Sequence, residues 1–444
     1  MLVPPSYLAL PAKFYREARP EVPPCPRMVV FNEDLARQLG FELRDDRILS
    51  GAELSPGTIP LALGYAGHQF GHYTTLGDGR AILLGEFIGA DGKRWDVQLK
   101  GSGRTPFSRR GDGKALLGPM LREYIISEAM AALGIPTTRS LAVLTTGESV
   151  LRSGMEPGAI LVRIAASHLR IGSFEYASDD DVGVLADFTI ERHFPEFKTA
   201  SNRYVRLLEE VISRQARLIA QWMAVGFIHG VMNTDNVALS GETIDYGPCA
   251  FMNEYNPATV YSSIDQRGRY AYGNQPAIME WNLARFAETL LPLLAASKES
   301  AIGIAKECLR EFPTLYNQAY EKVMTRKLGG AFGALEPLLD WMYRSRADYT
   351  NTFAGLTRES ASISDREFLD WHAQWRSAAT TAPVNHKVVP RNQIVEEALR
   401  AAVSGGDTTP LHDLVATMQR PDQWPEDRYM GSRDPAEYRT FCGT

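Results

Sequence analysis

The spacing of apolar and polar residues divides the chain into two regions of different periodicity. In residues 61–144, glycines separate short apolar runs such as residues 80–88 and 95–100, and the second run alternates apolar and polar positions as a strand does. From about Val182 onward, apolar residues recur at helical spacing over long stretches. The pattern predicts a sheet in the first region and a mostly helical second region.

One helix is predicted among the strands of the first region. Its residues 119–133 begin with Pro119 in the first turn and are followed by Gly134, and both residue types are typical of those positions. The spacing also predicts strands at residues 140–144 and 158–164. A sheet with a single helix is the arrangement found in the small lobe of protein kinases.

The two ends of the chain differ from its middle. Residues 1–30 are rich in proline, so we expect them to wrap irregularly over the surface rather than contribute to the core. From Gly405 onward the chain is polar and contains prolines, with Trp424 and Tyr429 as anchors. Between the ends, helices continue to about residue 375, and the clearest segments are residues 32–39, 204–225, 280–296 and 393–403.

Composition and charge restrict the classes of function. The chain of 444 residues is 44% hydrophobic and 23% charged, as expected for a globular protein of two or three domains. Its net charge of -6 argues against a nucleic-acid-binding protein that uses a broad basic surface. The sequence contains no run of about 18 apolar residues, so no membrane-spanning helix is expected. The first residues lack the pattern of a signal peptide. We expect a cytoplasmic enzyme.

The cysteines give no sign of a metal or redox motif. They stand apart at Cys25, Cys249, Cys308 and Cys442, and no two of them form a C-x-x-C pair. Because disulfides are rare in cytosolic proteins, four reduced thiols are expected. Cys442 lies third from the end, where a mobile tail would expose it to chemistry.

The strongest chemical signal is a pair of motifs in the helical region. Residues 229–236 read His-Gly-Val-Met-Asn-Thr-Asp-Asn, and Asp245 follows in Ile-Asp-Tyr-Gly. They fit the kinase patterns H-R-D-x-x-x-x-N and D-F-G, except that Gly230 replaces the arginine and Val231 replaces the catalytic aspartate. Asn236 and Asp245 retain the two metal ligands. The motifs predict a nucleotide site whose usual proton acceptor is missing.

Asp235 is the candidate for the missing proton acceptor. It is the only carboxylate between His229 and Glu242, and it directly precedes Asn236. A carboxylate in this position could take a proton from a nucleophile. The alternative is that Asp235 caps a turn, because Asn-Thr-Asp-Asn is rich in turn-forming residues.

A lysine–glutamate pair is expected beside these motifs. Lys100 ends the predicted strand Val-Gln-Leu-Lys, which matches the kinase strand that carries the phosphate-binding lysine. In kinases a glutamate of the neighbouring helix pairs with this lysine. The predicted helix offers Glu128 in the middle of its apolar face and Glu123 on its polar side. Helical spacing alone favours Glu128.

Glycines and arginines supply candidates for phosphate binding. Residues 100–113 form a loop with four glycines and three arginines, which we expect to cover the nucleotide. Arg163 and Arg170 would share a face if the segment between them were helical, and otherwise they are unrelated surface charges. A turn at residues 76–80 is either a plain turn or a phosphate contact, and it contains Gly77, Gly79 and Arg80.

Together, these motifs resemble the selenoprotein O family. That family is similar to protein kinases in fold, lacks the usual catalytic aspartate, and transfers AMP rather than phosphate to hydroxyl side chains of proteins. The resemblance runs in order from about residue 5 to Cys442. The segments that carry it are residues 65–71, 76–80, 99–113, 133–139, 229–236 and 244–248.

The resemblance implies an α+β, protein-kinase-like fold with two lobes. An N-terminal extension at residues 1–60 would precede a small lobe of sheet plus one helix at residues 61–165. A large helical lobe at residues 166–330 would follow, and a helical C-terminal extension at residues 331–444 would complete the chain.

The resemblance also implies a set of site residues. ATP would bind in a flipped orientation with its α-phosphate towards the acceptor, and Asn236 and Asp245 would bind Mg²⁺ or Mn²⁺. Asp235 would accept the proton. Glu123, rather than Glu128, would pair with Lys100. The implied nucleotide contacts are Gly77, Gly79, Arg80, Lys100, Asp112, Gly113, Arg163, Arg170 and Asp245.

The predicted function is therefore a protein adenylyltransferase that modifies Ser, Thr or Tyr and releases pyrophosphate, with no nucleic-acid or membrane partner. Two alternatives stay open: a kinase that transfers the γ-phosphate with Asp235 as a displaced base, and an inactive ATP-binding scaffold. Some relatives pair a C-terminal cysteine with one that follows the second motif. Residues 253–263 contain no cysteine here, so Cys442 has no such partner in that segment.

Overall fold

The structure, a computed structural model, describes residues 2–358, 363–431 and 438–441. Its first half is rich in strands, as the spacing predicts. In chain order the strands are β1 (Tyr15–Glu17), β2 (Arg27–Phe31), β3 (Leu61–Leu63), β4 (Ala66–Gln69), β5 (His72–Thr75), β6 (Ala81–Ile88), β7 (Arg94–Lys100), β8 (Ala115–Leu116), β9 (Arg139–Leu151), β10 (Met155–Ala165), β11 (Phe227–Ile228) and β12 (Ala250–Phe251).

The second half is mostly helical. Long α6 ends where Gly226 adopts a left-handed conformation with φ of 72°, which glycine tolerates without strain. The helices are α1 (Glu33–Leu39), α2 (Asp46–Leu49), α3 (Leu117–Ala132), α4 (Ile171–Glu175), α5 (Asp179–His193), α6 (Arg203–Val225), α7 (Gln275–Leu294), α8 (Lys298–Lys327), α9 (Leu335–Ser345), α10 (Tyr349–Gly355), α11 (Arg366–Ala378), α12 (Asn392–Gly405) and α13 (Thr409–Met418).

An antiparallel sheet dominates the strand-rich part. Its strands lie in the order β1-β3-β6-β7-β10-β9-β2, and β8 pairs with β10 off this path. The central strands β6, β7 and β10 are almost entirely buried, because helices or other segments cover both faces. This places the end of β7, and with it Lys100, inside the protein. The molecule is therefore of the α+β class.

The N-terminal segment contradicts the expectation of an irregular surface covering. Its strands β1 and β2 form the two edges of the sheet, paired with β3 and β9. Tyr7, Leu10 and Phe14 are buried in the main core. The prolines lie before and between these strands rather than within them, so they do not prevent the pairing at the sheet edges.

Helix α3 lies between the sheet and the C-terminal helices. One side contacts β9 and β10, and the other contacts α12 and α13. Residues from Met120 to Met130 are consequently buried all round the helix. Helix α13 lies in the polar, proline-containing stretch after Gly405, and Pro410 occupies its first turn.

Helix hydrophobicity and the state of the cysteines are two further features of the fold. Across the described ranges, no helix is both long and apolar enough to span a membrane. Cys25, Cys249 and Cys308 are free thiols, and Cys442 lies outside the described residues. Burial raises the pKa of the Cys249 thiol to about 12, so this side chain is unreactive at neutral pH.

Candidate active site

A cavity of about 470 Å³ lies between the sheet and the helical region. The structure brings together in its walls all the residues expected to contact the nucleotide, together with the expected proton acceptor and metal ligands. They are Gly77, Gly79, Arg80, Lys100, Asp112, Gly113, Arg163, Arg170, Asp235, Asn236 and Asp245.

Lys100 pairs with Glu123 of α3. The distance from Lys100 Nζ to Glu123 Oε2 is 2.6 Å, and the two side chains are only 8% and 3% exposed. Glu128 instead binds Arg139 through both carboxylate oxygens and accepts a hydrogen bond from the backbone N–H of Ser140. Helical spacing favours the wrong glutamate, because α3 is buried on the Glu123 side as well.

Asp245 is the centre of a cationic cluster. Its carboxylate lies 2.9 Å from Lys100 Nζ, 2.6 Å from Arg163 Nη1 and 3.0 Å from Arg170 Nη1. Burial alone would raise the pKa of Asp245, but the three cations hold it well below its usual range. With Glu123 included, the cluster has three positive and two negative charges. It therefore retains positive charge for an anionic ligand.

The two arginines reach Asp245 from different elements. Arg163 lies in strand β10 opposite Gln98, to which it also donates, and Arg170 directly precedes helix α4. The segment between them is not helical, so they do not share a helix face: Arg163 lies in β10, and a short connection leads from the end of β10 to Arg170. Both side chains are buried, so the alternative of unrelated surface charges is wrong as well.

The turn around Gly77 and Gly79 holds the glycine-rich loop against the cavity. A Cβ atom on Gly77 would lie 2.4 Å from the ring of Phe107, and the φ of Gly77 is +130°, so only glycine fits. Thr105 Oγ1 donates to the carbonyl oxygen of Asp78 at 2.6 Å. The loop therefore packs on the turn, and both line the cavity.

Asp112 and Gly113 stand at the end of this loop. Arg152 donates to both carboxylate oxygens of Asp112 at 2.8 Å, and chiefly these hydrogen bonds lower the pKa of Asp112 to about 2. A Cβ atom on Gly113 would lie 2.0 Å from the carbonyl oxygen of Gly103, which explains the glycine. Asp112 is thus charged and oriented by a partner that also lines the cavity.

Asp235 differs from Asp245 in its surroundings. Its side chain is buried, and its Oδ1 atom has no hydrogen-bond partner among the described residues. Arg170 donates to its backbone oxygen at 2.9 Å. Burial raises the pKa of Asp235 to about 7, which the charge of Arg170 only partly offsets. Such a carboxylate is suited to accepting a proton near neutral pH.

Asn236 and Asp245 present oxygen ligands to the same cavity. Asn236 Nδ2 donates to the carbonyl oxygen of Val231 at 2.9 Å, which fixes the orientation of the amide. In the described part of the chain, no three His, Cys, Asp or Glu side chains form a metal-binding group. The amide oxygen of Asn236 and the carboxylate of Asp245 are hard oxygen donors, and Mg²⁺ binds one or two such protein ligands together with phosphate oxygens.

A hairpin that the apolar–polar pattern does not predict covers Asp235. Strands β4 and β5 are joined by Phe70 and Gly71, whose φ angles of 51° and 88° are typical of a type I′ turn. A Cβ atom on Gly67 would lie 2.2 Å from Asp235 Oδ1. The only sequence signal was the motif at residues 65–71, since Phe-Gly is a weak hairpin signal compared with Asn-Gly.

Comparisons with known proteins match this chain along its length. The family described as protein adenylyltransferase SelO matches residues 2–372. A protein nucleotidyltransferase YdiU of Brevibacillus brevis is 52% identical, with 99% of this chain and 97% of that protein covered. The protein of the same name from Anoxybacillus flavithermus is also 52% identical, over 99% of this chain and 98% of its own length.

Among solved structures, the kinase domain of a rhoptry antigen from Toxoplasma gondii matches at 10% identity with a TM-score of 0.27. The match covers 62% of this chain and 88% of that domain. The likeness of this chain to kinases rests on the sheet, helix α3 and the Lys100–Glu123 ion pair.

Proposed function

This chain belongs to the SelO family of protein adenylyltransferases, and on that premise we propose that it transfers AMP from ATP to Ser, Thr or Tyr hydroxyls of proteins. The observation that carries the proposal is the pairing of two unlike carboxylates in one cavity. Asp245 is surrounded by three cations, whereas Asp235 is buried without a hydrogen-bond partner for its Oδ1 among the described residues.

The cationic cluster fits a pyrophosphate leaving group. When AMP is transferred, negative charge grows on the β- and γ-phosphates. Lys100, Arg163 and Arg170 are held in place around Asp245 before any ligand arrives, and Arg80 lines the same cavity. Cations that need no rearrangement stabilise the developing charge more effectively than solvent does. We propose that these four side chains bind the leaving phosphates.

Asp235 is proposed as the proton acceptor. It takes the proton of the acceptor hydroxyl while the hydroxyl oxygen forms a bond to the α-phosphorus. The bond from the α-phosphorus to the oxygen that bridges to the β-phosphate breaks, and pyrophosphate leaves. Val231, which replaces the usual kinase aspartate, lines the cavity but offers no acceptor.

Asn236 and Asp245 are proposed to hold Mg²⁺ or Mn²⁺. When bound, the ion would neutralise phosphate charge and help to orient the triphosphate. We further propose that the remaining predicted contacts, Gly77, Gly79, Asp112 and Gly113, bind the nucleotide through the turn and loop that line the cavity. Use of ATP and the three free thiols fit the cytoplasmic location that we propose.

Isotope position tests the reaction. The full chain is incubated with Mg²⁺, a mixture of protein acceptors, and ATP labelled at either the α- or the γ-phosphate. We expect protein-bound label from α-labelled ATP and none from γ-labelled ATP, with one pyrophosphate released for each AMP bound. Label from the γ position alone would show a kinase, and no protein-bound label from either would favour a scaffold.

Replacing each of the two glutamates of α3 with glutamine gives a matched pair of variants. Glu123→Gln is expected to lower AMP transfer about tenfold, because Lys100 and Arg163 lose a charged partner. Glu128→Gln is expected to leave transfer within about threefold of wild type but to lower the midpoint of thermal unfolding, because it weakens the bond to Arg139. The assignment is wrong if Glu128→Gln has the larger effect on the rate per folded molecule.

A further inference from the structure

A closed network of polar groups lies behind Asp235. Glu175, the last residue of α4, contacts the ring Nδ1 of His68 through Oε1 and accepts a hydrogen bond from Thr234 through Oε2, both at 2.5 Å. The backbone N–H of His68 donates to Thr234 Oγ1 at 2.7 Å. The network thus joins three segments: the hairpin β4–β5, helix α4 and the loop that carries Asp235.

The network acts at the point where the hairpin covers Asp235. Thr234 is the residue before Asp235, and His68 follows Gly67, whose backbone packs against the Asp235 carboxylate. A second hydrogen bond also joins the hairpin to this loop: the backbone N–H of Phe70 donates to Asn233 Oδ1 at 3.1 Å. The hairpin is therefore attached to the loop at two points, His68 and Phe70, that directly follow the position facing Asp235.

A buried carboxylate is a costly way to achieve packing alone. The Glu175 side chain is only 3% exposed, and an uncompensated charge there would be destabilising. Both of its oxygens are used by the hairpin and the Asp235 loop. The ring of His68 is fixed further by edge contacts with Tyr73 and Trp281. Hydrogen bonds of defined direction hold a neighbouring side chain more exactly than apolar contact does.

We propose that Glu175, His68 and Thr234 are positioning residues for the transfer reaction. These residues hold the hairpin over Asp235 and keep the Asp235 carboxylate directed at the acceptor hydroxyl. The proposal rests on the proposed function of Asp235. None of the three residues lines the cavity. Their loss should therefore lower the rate of transfer without weakening ATP binding, because a misplaced reacting group affects the chemical step.

Isosteric and conservative variants of the full chain test this role. Glu175→Leu and Thr234→Val remove the polar groups, whereas Glu175→Gln and Thr234→Ser keep a hydrogen-bonding side chain. We expect kcat to fall about tenfold to a hundredfold in the first pair and to stay within about threefold of wild type in the second. The Kd of a non-hydrolysable ATP analogue should change by less than about twofold in all four. His72→Ala, on the exposed face of the same hairpin, is the control.

Amide hydrogen exchange supplies a readout that does not require activity. In Thr234→Val, amides of residues 66–75 should exchange about tenfold faster than in wild type while those of α3 are unchanged. Wild-type kcat in Glu175→Leu and Thr234→Val, an equal loss in Thr234→Ser, or unchanged exchange in the hairpin would each overturn the proposal. If wild type attaches no AMP, the proposed function fails instead, and the exchange experiment still decides whether the network holds the hairpin.

Discussion

Asp235→Asn is expected to lower AMP transfer by about 10² to 10⁴-fold while leaving ATP binding nearly unchanged. The amide has almost the same shape as the carboxylate but cannot accept the hydroxyl proton. The cations that would bind phosphate contact Asp245 rather than the Asp235 carboxylate, so nucleotide affinity should persist. Single-turnover incorporation of α-labelled ATP, with the Kd of a non-hydrolysable analogue measured alongside, separates the two effects.

A surface carboxylate provides the control for this substitution. Asp187 lies on α5 and forms an exposed ion pair with Arg203. Asp187→Asn should transfer AMP at the wild-type rate, since exposed pairs contribute little to stability. Transfer within about threefold of wild type in Asp235→Asn would exclude this residue as the proton acceptor.

Asp245→Asn is expected to abolish the effect of metal on ATP binding. Transfer should fall roughly a thousandfold, because a charged metal ligand is lost. The substitution also removes the carboxylate that competes with phosphate for Lys100, Arg163 and Arg170. In metal-free buffer with EDTA, the variant should therefore bind ATP at least as tightly as wild type, and Mg²⁺ should no longer improve binding.

Titration calorimetry measures the Kd of ATP for wild type and for Asp245→Asn, once in buffer with EDTA and once in buffer with Mg²⁺. Asp112→Asn is a suitable comparison, since this carboxylate also lines the cavity but binds Arg152 instead of the cationic cluster. That variant should retain its metal dependence. A wild-type response to Mg²⁺ in Asp245→Asn would show that the ion is held elsewhere.

The sequence predicts the site residues better than it predicts how they meet. The motifs fix most of the residues that enter the cavity, because these belong to runs of specific neighbours, whereas Arg163 and Arg170 lie outside the motifs. The pairing of Lys100 is different. Helix α3 is covered by β9 and β10 on one side and by α12 and α13 on the other, so its apolar face does not show which side faces the lysine. Only the tertiary structure distinguishes Glu123 from Glu128.

Long-range pairings account for most of what the sequence does not reveal. Arg163 and Arg170 meet through Asp245, which lies more than seventy positions further along the chain than either of them. The hairpin β4–β5 is short and joined by Phe-Gly, a pair that rarely marks a tight turn. Only the tertiary structure shows that the hairpin covers Asp235, because it places Gly67 against the Asp235 carboxylate. Local propensity carries no information about such contacts.

Synthesis from the N-terminus has a consequence for the pairing of the N-terminal strands. Both edges of the sheet come from residues 15–31, yet β2 pairs with β9, which is synthesised more than a hundred residues later. The first segment must therefore leave the ribosome unpaired and wait for its partners. Until it docks, the strands that carry Lys100 and Arg163 belong to a sheet with open edges, which can pair with other chains. A chaperone that shields the nascent chain would have most to protect in that interval.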